Sequence, residues 1–267
     1  IMLKKIYFAF KTAKYRHAGT KDQPVLIISD NTRDLLHHNF KTEGPIEEGS
    51  AHLLSVDVEK LNLNRYPRYM RVGLRGADMW RPELVFVFAE LVNENYHYSP
   101  LGIKYYSPPI SADESEGRLS IPLTRANFGG NFTRLRRLLV LIRNETKTGA
   151  GTNSPITLSI DSHAKNIASH KIPAGALAKN GGIYLSMVYL SENFIQNDIR
   201  DIEIRINGSD KWTPASFWLW GLDERQDNYE NMVPLVAIPD WQSSDLGALS
   251  EDEKEGTASK LLYKAFL

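Results

Sequence analysis

Hydrophobic and polar residues alternate with a period of two along much of the chain. In segment 202–206 isoleucine alternates with Glu and Arg, and in segment 70–74 apolar residues alternate with Arg and Gly. Such alternation predicts β-strands that bury one face and expose the other. Segments 5–10 and 137–142 are more continuously apolar, which predicts strands that are buried more fully.

Clusters of Gly, Pro, Asn and Asp interrupt these strands about every ten residues, a spacing typical of antiparallel sandwiches and barrels. Strands that alternate with helices would need longer amphipathic segments between them. Segment 250–260, which opens with a Ser-x-x-Glu box, is predicted to be either a short helix or a solvated loop. The pattern therefore predicts an all-β fold.

An internal repeat fixes the organisation of the chain. Segment 76–82 (GADMWRP) recurs as segment 208–214 (GSDKWTP), 132 residues later, and Ala-Gly-Thr at 18–20 recurs at 150–152 with the same spacing. The copies are too long to be solenoid repeats, which are typically about 20–50 residues. We therefore expect two tandem antiparallel β-sandwiches of about eight strands each, over residues 1–131 and 132–267.

Several motifs resemble the PLAT, or lipoxygenase-homology, domain. These are an opening strand, the Thr-x-x-Gly-Ala-Gly-Thr turn at 146–152, the strand Pro-Ile-Thr-Leu-Ser-Ile at 155–160, and the later Ile-x-Ile-x-Ile strand followed by a loop with Trp212. The resemblance covers most of each copy and is clearer in the second. It implies an eight-stranded sandwich that faces lipid or docks to proteins, in some members with calcium bound in loops at one end.

The residues that follow Gly-Thr depart from that family. The family places Asp directly after Gly-Thr, where it helps to bind calcium, whereas this chain has Lys21 and Asn153. Asp22 stands one place later in the first copy, and Ser154 takes that place in the second. We therefore expect no cofactor. If an ion does bind, the resemblance implies that it is calcium. The candidate metal ligands are Asp22, Asp78, Asn153 and Asp210.

The repeated Gly-x-Asp-x-Trp-x-Pro loops allow two interpretations. An Asp carboxylate with carbonyls of a neighbouring Gly-Thr loop would suit a hard cation. Alternatively, the Asp bonds the backbone of its own turn while the Trp anchors the loop to the sandwich. We favour this interpretation because one Asp per copy supplies few of the oxygen ligands that calcium needs. The residues expected in ligand-binding loops are Gly19, Thr20, Asp78, Trp80, Gly151, Thr152, Asp210, Trp212 and Trp241.

The tryptophans are candidates for a surface that stacks on sugars or inserts into lipid. Trp218 and Trp220 share one face of a predicted strand and match Phe86 and Phe88 of the first copy, so we expect that face to belong to the core. Trp241 lies in a segment that the first copy lacks, and it is the best candidate for a surface tryptophan.

Composition narrows the function classes. Basic and acidic residues number 32 each, so no global charge favours nucleic acid, and the absence of cysteine excludes disulfides and thiolate chemistry. No nucleophile elbow, phosphate loop or dinucleotide fingerprint occurs. We expect a binding module rather than an enzyme, which docks to a membrane surface, a lipid-like ligand or a protein partner in a secreted or surface-associated setting. The alternatives are a carbohydrate-binding module that uses loop tryptophans, an accessory part of a larger enzyme or toxin system, and an enzyme whose site lies between the copies.

Overall fold

The computed structural model describes residues 2–64, 67–92, 98–130, 133–163, 165–223 and 229–264, with Lys264 as backbone only. The chain divides into two compact units, the first formed by Ile1–Phe128 with Gln226–Glu230 and the second by Gly129–Arg225 with Asn231–Leu267. The predicted junction between residues 131 and 132 lies outside the described residues.

The first unit is a sandwich of two antiparallel sheets. One sheet has the strand order β9-β7-β6-β1-β4 and the other the order β3-β2-β5-β8. The strands are β1 (Leu3–Thr12), β2 (Gln23–Ser29), β3 (Asp34–Asn39), β4 (Ala51–Asp57), β5 (Tyr69–Arg75), β6 (Pro82–Leu91), β7 (Tyr98–Tyr105), β8 (Ser120–Pro122) and β9 (Thr124–Phe128), with a 3-10 helix η1 (Glu59–Leu61) after β4.

The second unit has the same plan. Its sheets have the orders β13-β10-β15-β16 and β12-β11-β14-β17. The strands are β10 (Arg134–Asn144), β11 (Ile156–Ser162), β12 (Asn166–Ile172), β13 (Ile183–Ile195), β14 (Ile199–Ile206), β15 (Pro214–Leu222), β16 (Tyr229–Ile238, of which residues 231–238 belong to this unit) and β17 (Ser259–Lys264), with 3-10 helices η2 (Gln196–Asp198) and η3 (Gln242–Ser244).

Strand register repeats between the units with the spacing found in the sequence. In the first unit Phe8 of β1 lies opposite Val87 of β6. In the second unit the residues 132 positions later, Val140 and Leu219, lie opposite each other in β10 and β15. The smaller sheets agree, since β2 pairs with β5, and β11 with β14, in the same relative register. The two units are therefore two copies of one fold.

Each core lies between the two sheets of its own unit. In the first unit Phe8, Val87, Leu26 and Val72 belong to one buried cluster, and each is 0% exposed. The corresponding cluster of the second unit contains the residues 132 positions later, namely Val140, Leu219, Leu158 and Ile204. Burial of alternating apolar residues from both sheets is what the period-two pattern predicts.

The predicted fold class is confirmed, because every sheet is antiparallel and each unit is a β-sandwich. Segment 250–260 forms a turn that leads into β17, so the loop alternative is correct and the helix is not formed. Among the residues that the structure describes, no helix has both the length and the apolar character needed to cross a membrane.

Candidate ligand-binding loops

Two loops meet at one end of the first sandwich, which we call its loop end. They are the Gly-Thr loop, residues 18–22, and the Asp loop, residues 76–82. Thr20 exchanges two backbone hydrogen bonds of 2.8 Å with Ile46, which holds the Gly-Thr loop in place. Gly19 is needed at its position because a Cβ atom there would lie 2.3 Å from the Ile46 carbonyl oxygen.

The Asp78 side chain joins the two loops. Its Oδ2 atom accepts hydrogen bonds from the Lys21 amide at 2.8 Å and from the Thr20 hydroxyl at 3.3 Å. In return, the Asp78 amide donates to Asp22 Oδ2 at 2.8 Å. The expectation that Asp78 bonds the backbone of its own turn is therefore wrong, because its hydrogen bonds reach the facing loop.

The second unit repeats this arrangement at its own loop end, formed by residues 150–154 and 208–214. Asp210 Oδ2 accepts hydrogen bonds from the Asn153 amide at 2.6 Å and from the Thr152 hydroxyl at 3.1 Å. Gly151 is required for the same reason as Gly19, since a Cβ atom there would lie 2.2 Å from the Ala178 carbonyl oxygen. The repeated Asp therefore has one structural role in both copies.

A glycine begins each Asp loop. It leaves room for the residue two positions after the Thr of Gly-Thr, which is Asp22 in the first copy and Ser154 in the second. Gly76 has a φ of +140°, and a Cβ atom on it would lie 2.0 Å from a carboxylate oxygen of Asp22. Gly208 has a φ of +154°, and its Cβ would lie 2.4 Å from the Ser154 hydroxyl oxygen. The positive φ favours glycine at this position, and a larger residue would also displace the Asp22 carboxylate or the Ser154 hydroxyl.

Trp80 and Trp212 anchor the Asp loops from below, as the structural interpretation predicts. Both side chains are 0% exposed. The Trp80 indole donates a hydrogen bond of 3.1 Å to the Thr12 hydroxyl, and the Trp212 indole donates one of 2.7 Å to Asn144 Oδ1. A buried indole with its N–H bonded to the protein cannot stack on a ligand, so these two residues support the loops and do not line a binding surface.

Trp241 is not a surface residue, which corrects our expectation. It is 0% exposed, belongs to the core cluster of the second unit, and donates a hydrogen bond of 2.8 Å to the Gly247 carbonyl. The extra segment after β16 folds back on the sandwich, where Trp241 and Leu246 pack against the core of the second unit. A carbohydrate site built from the loop tryptophans is therefore wrong for this chain.

Trp218 and Trp220 are buried, but not in the sandwich core. The residues of β15 that belong to the core cluster are Phe217 and Leu219. Trp218 and Trp220 alternate with them along the strand and so lie on its opposite face. The prediction that both tryptophans are buried is confirmed, but Phe217 and Leu219 are the residues that pack between the sheets. A strand that is buried on both faces gives no period-two signal to distinguish these faces.

An open hollow lies beside the loops in each unit. In the first unit it has a volume of about 500 Å³ and its lining includes Lys21, Glu48 and Asp78. In the second unit it has a volume of about 580 Å³ and its lining includes Lys147, Lys211, Asp210 and Glu255. Each hollow is lined by both signs of charge.

The candidate metal ligands lie together, although they form no cluster of the size that a metal site needs. Asp22 is hydrogen-bonded to Asp78, and Asn153 is hydrogen-bonded to Asp210. Within the described part of the chain, no group of three or more His, Cys, Asp and Glu side chains could hold a metal ion. Calcium prefers about six to eight oxygen ligands, and Oδ2 of each repeated Asp is already occupied by protein donors.

An acidic turn also repeats between the copies, with the sequence Asp-Glu-Ser-Glu-Gly at 113–117 and Asp-Glu-Lys-Glu-Gly at 252–256, and the serine two residues before each turn bonds the Asp loop. The Ser111 hydroxyl donates to the Ala77 carbonyl at 2.8 Å, and the Ser250 hydroxyl donates to the Ser209 carbonyl at 2.9 Å. Hydrogen bonds from the Ser115 hydroxyl and amide lower the pKa of Asp113 below its ordinary value. The carboxylate of Asp113 thus fixes its own turn.

Sequence reasoning missed the exposed tyrosines of the first loop end. Segment 14–17, with the sequence Lys-Tyr-Arg-His, is exposed throughout, and we call it the tip. Tyr15 is 64% exposed and Tyr106 is 76% exposed. Tyr106 follows β7 and donates its amide to the Glu83 carbonyl at 2.8 Å, which places it beside the Asp loop. No periodic signal marks them, because exposure in a loop depends on turn geometry and not on strand alternation.

Two of these residues adopt an unusual backbone conformation. His17 has a φ of +64° and Tyr106 a φ of +44°, in the left-handed region that Asn, Asp and His adopt more often than other L-residues, so Tyr106 is the less usual of the two. The His17 amide donates to Glu48 Oε1, which helps to hold the tip. Strained backbone of this kind is concentrated at functional sites.

Comparison with known proteins adds little to this geometry. No family model matches the chain, and no curated protein matches it. Among solved structures, alpha toxin from Clostridium absonum is similar, with 16% identity over 51% of this chain and 33% of that chain, and a TM-score of 0.34. The chain thus spans about a third of the length of that protein, and a similarity of this size carries no argument about function. The resemblance to the PLAT family stays a prediction from the residues.

Proposed function

We propose that this chain is a non-catalytic tandem binding module that docks onto a membrane surface, with the loop end of the first sandwich as the contact. The observation that carries the proposal is the pair of exposed tyrosines at that end, Tyr15 at 64% and Tyr106 at 76% exposed. Tyrosine combines an apolar ring with a polar hydroxyl, and it is enriched at membrane interfaces for that reason.

The charges of the tip suit an anionic surface. Lys14 and Arg16 flank Tyr15, Lys21 follows in the Gly-Thr loop, and all three are exposed. A basic side chain near an anionic leaflet contributes about 1 kcal/mol to binding. The adjoining hollow also contains Glu47, Glu48 and Asp78, of which Glu48 accepts the His17 amide and Asp78 accepts the Lys21 amide, so the attraction to an anionic surface is assigned to the tip and not to the hollow.

The residues shared by the two copies support a binding role over a catalytic one. Asp78 and Asp210 hold loops together, and Trp80 and Trp212 hold those loops to the core. These side chains therefore stabilise the conformation of the loop end. Rigid loops lower the entropy cost of docking, because fewer conformations are lost on contact.

Vesicle flotation tests the proposal. The full chain is mixed with vesicles of phosphatidylcholine alone or of phosphatidylcholine with phosphatidylserine, with calcium or with chelator. We expect flotation with the anionic vesicles, and loss of flotation in the double variant Tyr15→Ser/Tyr106→Ser. The matched control is Tyr189→Ser, which removes a tyrosine that is 69% exposed on β13 of the second unit.

A folded wild-type chain that floats with neither vesicle would contradict membrane docking. Equal flotation of the double variant and the wild type would show that the contact lies elsewhere. Circular dichroism and the melting temperature of each variant confirm that the sandwich is intact.

A further inference from the structure

A second surface hollow lies at the other end of the first sandwich. Strand β2 leaves the Gly-Thr loop at Gln23 and ends at Ser29, and strand β5 begins at Tyr69 and ends beside the Asp loop. The turn after β2 and the start of β5 enclose a hollow of about 490 Å³. This volume is in the range of sites that bind small molecules.

Arginine dominates the charge of this hollow. Its lining contains four arginines, Arg33, Arg68, Arg71 and Arg125, against two aspartates, Asp30 and Asp34. The lining therefore carries an excess of two positive charges, in a chain whose net charge is zero. Guanidinium groups bind phosphate and carboxylate through paired hydrogen bonds, so this excess favours an oxyanion.

The two aspartates are used to build the turn. Asp30 Oδ1 accepts hydrogen bonds from the Thr32 amide at 2.7 Å and from the Arg33 amide at 2.9 Å. Asp34 Oδ1 accepts a hydrogen bond of 2.6 Å from the hydroxyl of Ser29. The carboxylates thus fix the positions from which the arginines reach the hollow.

The ion pairs between these aspartates and the arginines are long. Arg71 Nη2 lies 3.7 Å from Asp34 Oδ1, and Arg33 Nε lies 4.0 Å from Asp30 Oδ2. Neither distance is that of a strong hydrogen bond, and a guanidinium has five N–H donors. Arg71 and Arg33 therefore keep donors for a ligand.

Besides the charged residues and the polar Ser29, Asn31 and Thr32, the lining has an apolar part. Met70, Leu123 and Pro122 contribute to it, together with Tyr69, whose ring is 51% exposed and lies under the Arg68 guanidinium at 5.8 Å. A lining of this kind suits a ligand that joins a charged group to an apolar or flat part.

The second unit lacks this charge pattern at the equivalent positions. Arg200 corresponds to Arg68, but its Nε lies 2.6 Å from Asp201 Oδ2, in a close pair. Glu203 stands in place of Arg71, which reverses the charge. The arginine excess is therefore a property of the first copy and not of the shared fold.

From this comparison we infer that the hollow of the first sandwich is a binding site for a terminal phosphate group, as in a phosphate monoester, with Arg33, Arg68 and Arg71 as the residues that hold the phosphate. The source of that phosphate is either a soluble phosphorylated molecule or a phosphorylated lipid headgroup. The site is independent of the proposed contact at the loop end.

Two probes test the site with the full chain. Calorimetry with inorganic pyrophosphate measures the soluble arm, and flotation with vesicles that contain a phosphatidylinositol phosphate measures the lipid arm. We expect Arg68→Gln and Arg71→Glu to weaken binding of the probe by about tenfold or more, as loss of one paired charged contact does. Arg200→Gln in the second unit is the matched control and should bind like the wild type.

Binding of pyrophosphate alone assigns a soluble ligand, and binding of the phosphoinositide vesicles, lost in Arg71→Glu, assigns a headgroup. Absence of binding to both probes overturns the inference, as does unchanged affinity in Arg68→Gln and Arg71→Glu.

If Arg71→Glu lowers the melting temperature, Arg71→Gln and Arg33→Gln replace it. Arg68→Gln should leave flotation with phosphatidylserine vesicles unchanged, so failure of this site and failure of the loop-end contact are distinguishable.

Discussion

The Asp78 carboxylate accepts a hydrogen bond of 2.8 Å from the amide of Lys21, and so ties the Asp loop to the Gly-Thr loop in the first sandwich. Asp210 and Asn153 form the same bond at 2.6 Å in the second. The residue that supplies the amide differs between the copies, whereas the Asp does not. A bond from the backbone is insensitive to the side chain that follows Gly-Thr, which explains how Lys21 and Asn153 fill one position.

Replacing the repeated Asp should loosen the loop end. Asp78→Ala removes the acceptor for the Lys21 amide and the Thr20 hydroxyl. A hydrogen bond to a charged group contributes about 1.5–3 kcal/mol when it is shielded from water and less at an exposed position, so we expect a loss of about 1 kcal/mol in the free energy of unfolding. Urea unfolding measures it, with Glu114→Ala on an exposed turn as the control. Equal stability of the two variants would contradict the role given to Asp78.

Replacing Tyr106 should separate stability from docking. Its φ of +44° is one that glycine adopts without strain. Tyr106→Gly relieves about 1–2 kcal/mol of backbone strain and incurs about 0.5–1 kcal/mol of added chain entropy in the unfolded state, so stability should rise slightly. Vesicle flotation should fall, because the ring is lost. The control is Tyr15→Gly. Because Tyr15 is not among the residues with positive φ, this variant should bring no gain in stability.

Stability should fall on mild acidification. Burial lowers the pKa of His52, against a smaller raising effect of Glu47, and burial also lowers the pKa of His170. In the unfolded chain each ring titrates near pH 6.5. The unfolded state therefore binds more protons below about pH 6.5. The stability that the two neutral rings contribute is fully present above that pH, and it is lost as the pH falls toward their lower pKa values in the folded chain.

The free energy of unfolding, measured between about pH 7.5 and about pH 5.5, tests this pH dependence. His52→Asn and His170→Asn should flatten the decline, each by its own share. The same substitution at His37, an exposed residue of β3, is the control. A decline that persists in full in the His52/His170 double variant would assign it to other groups.

Calcium should bind neither copy tightly. Lys21 and Asn153 replace a carboxylate that the resemblance places after Gly-Thr, and each missing carboxylate removes a charged ligand. Only a ligand bound to the native state raises the melting temperature, so chelator should leave it unchanged. A micromolar site in calorimetry that Asp78→Ala or Asp210→Ala abolishes would contradict this prediction.

The sequence predicts the sandwich and the role of the loop tryptophans, because both depend on local pattern. Strand alternation at 70–74 and 202–206 specifies which side chains are buried, and the repeat shows that Trp80 and Trp212 hold one position. Pattern alone does not give the burial of Trp241, because that depends on how an unmatched segment folds back.

The exposed tyrosines and the arginine hollow are also absent from the pattern, for a different reason. Tyr15 and Tyr106 are 91 positions apart, and they reach one end because β6 leads from the Asp loop and pairs with β7. Arg33 and Arg71 come together because β2 pairs with both β3 and β5. Long-range strand order sets both groupings, and a single sequence does not supply that order.

The depth of the tip in a membrane tests the central claim most directly. The chain contains no cysteine, so a single Arg16→Cys substitution can be spin-labelled next to Tyr15 without further changes, with Tyr189→Cys as the matched site on β13. On anionic vesicles, the account predicts that the label at position 16 becomes accessible to oxygen dissolved in lipid and shielded from a water-soluble relaxant, while the label at 189 stays exposed to water. A label at position 16 that remains as accessible to the water-soluble relaxant with vesicles as without them would contradict membrane docking through the loop end.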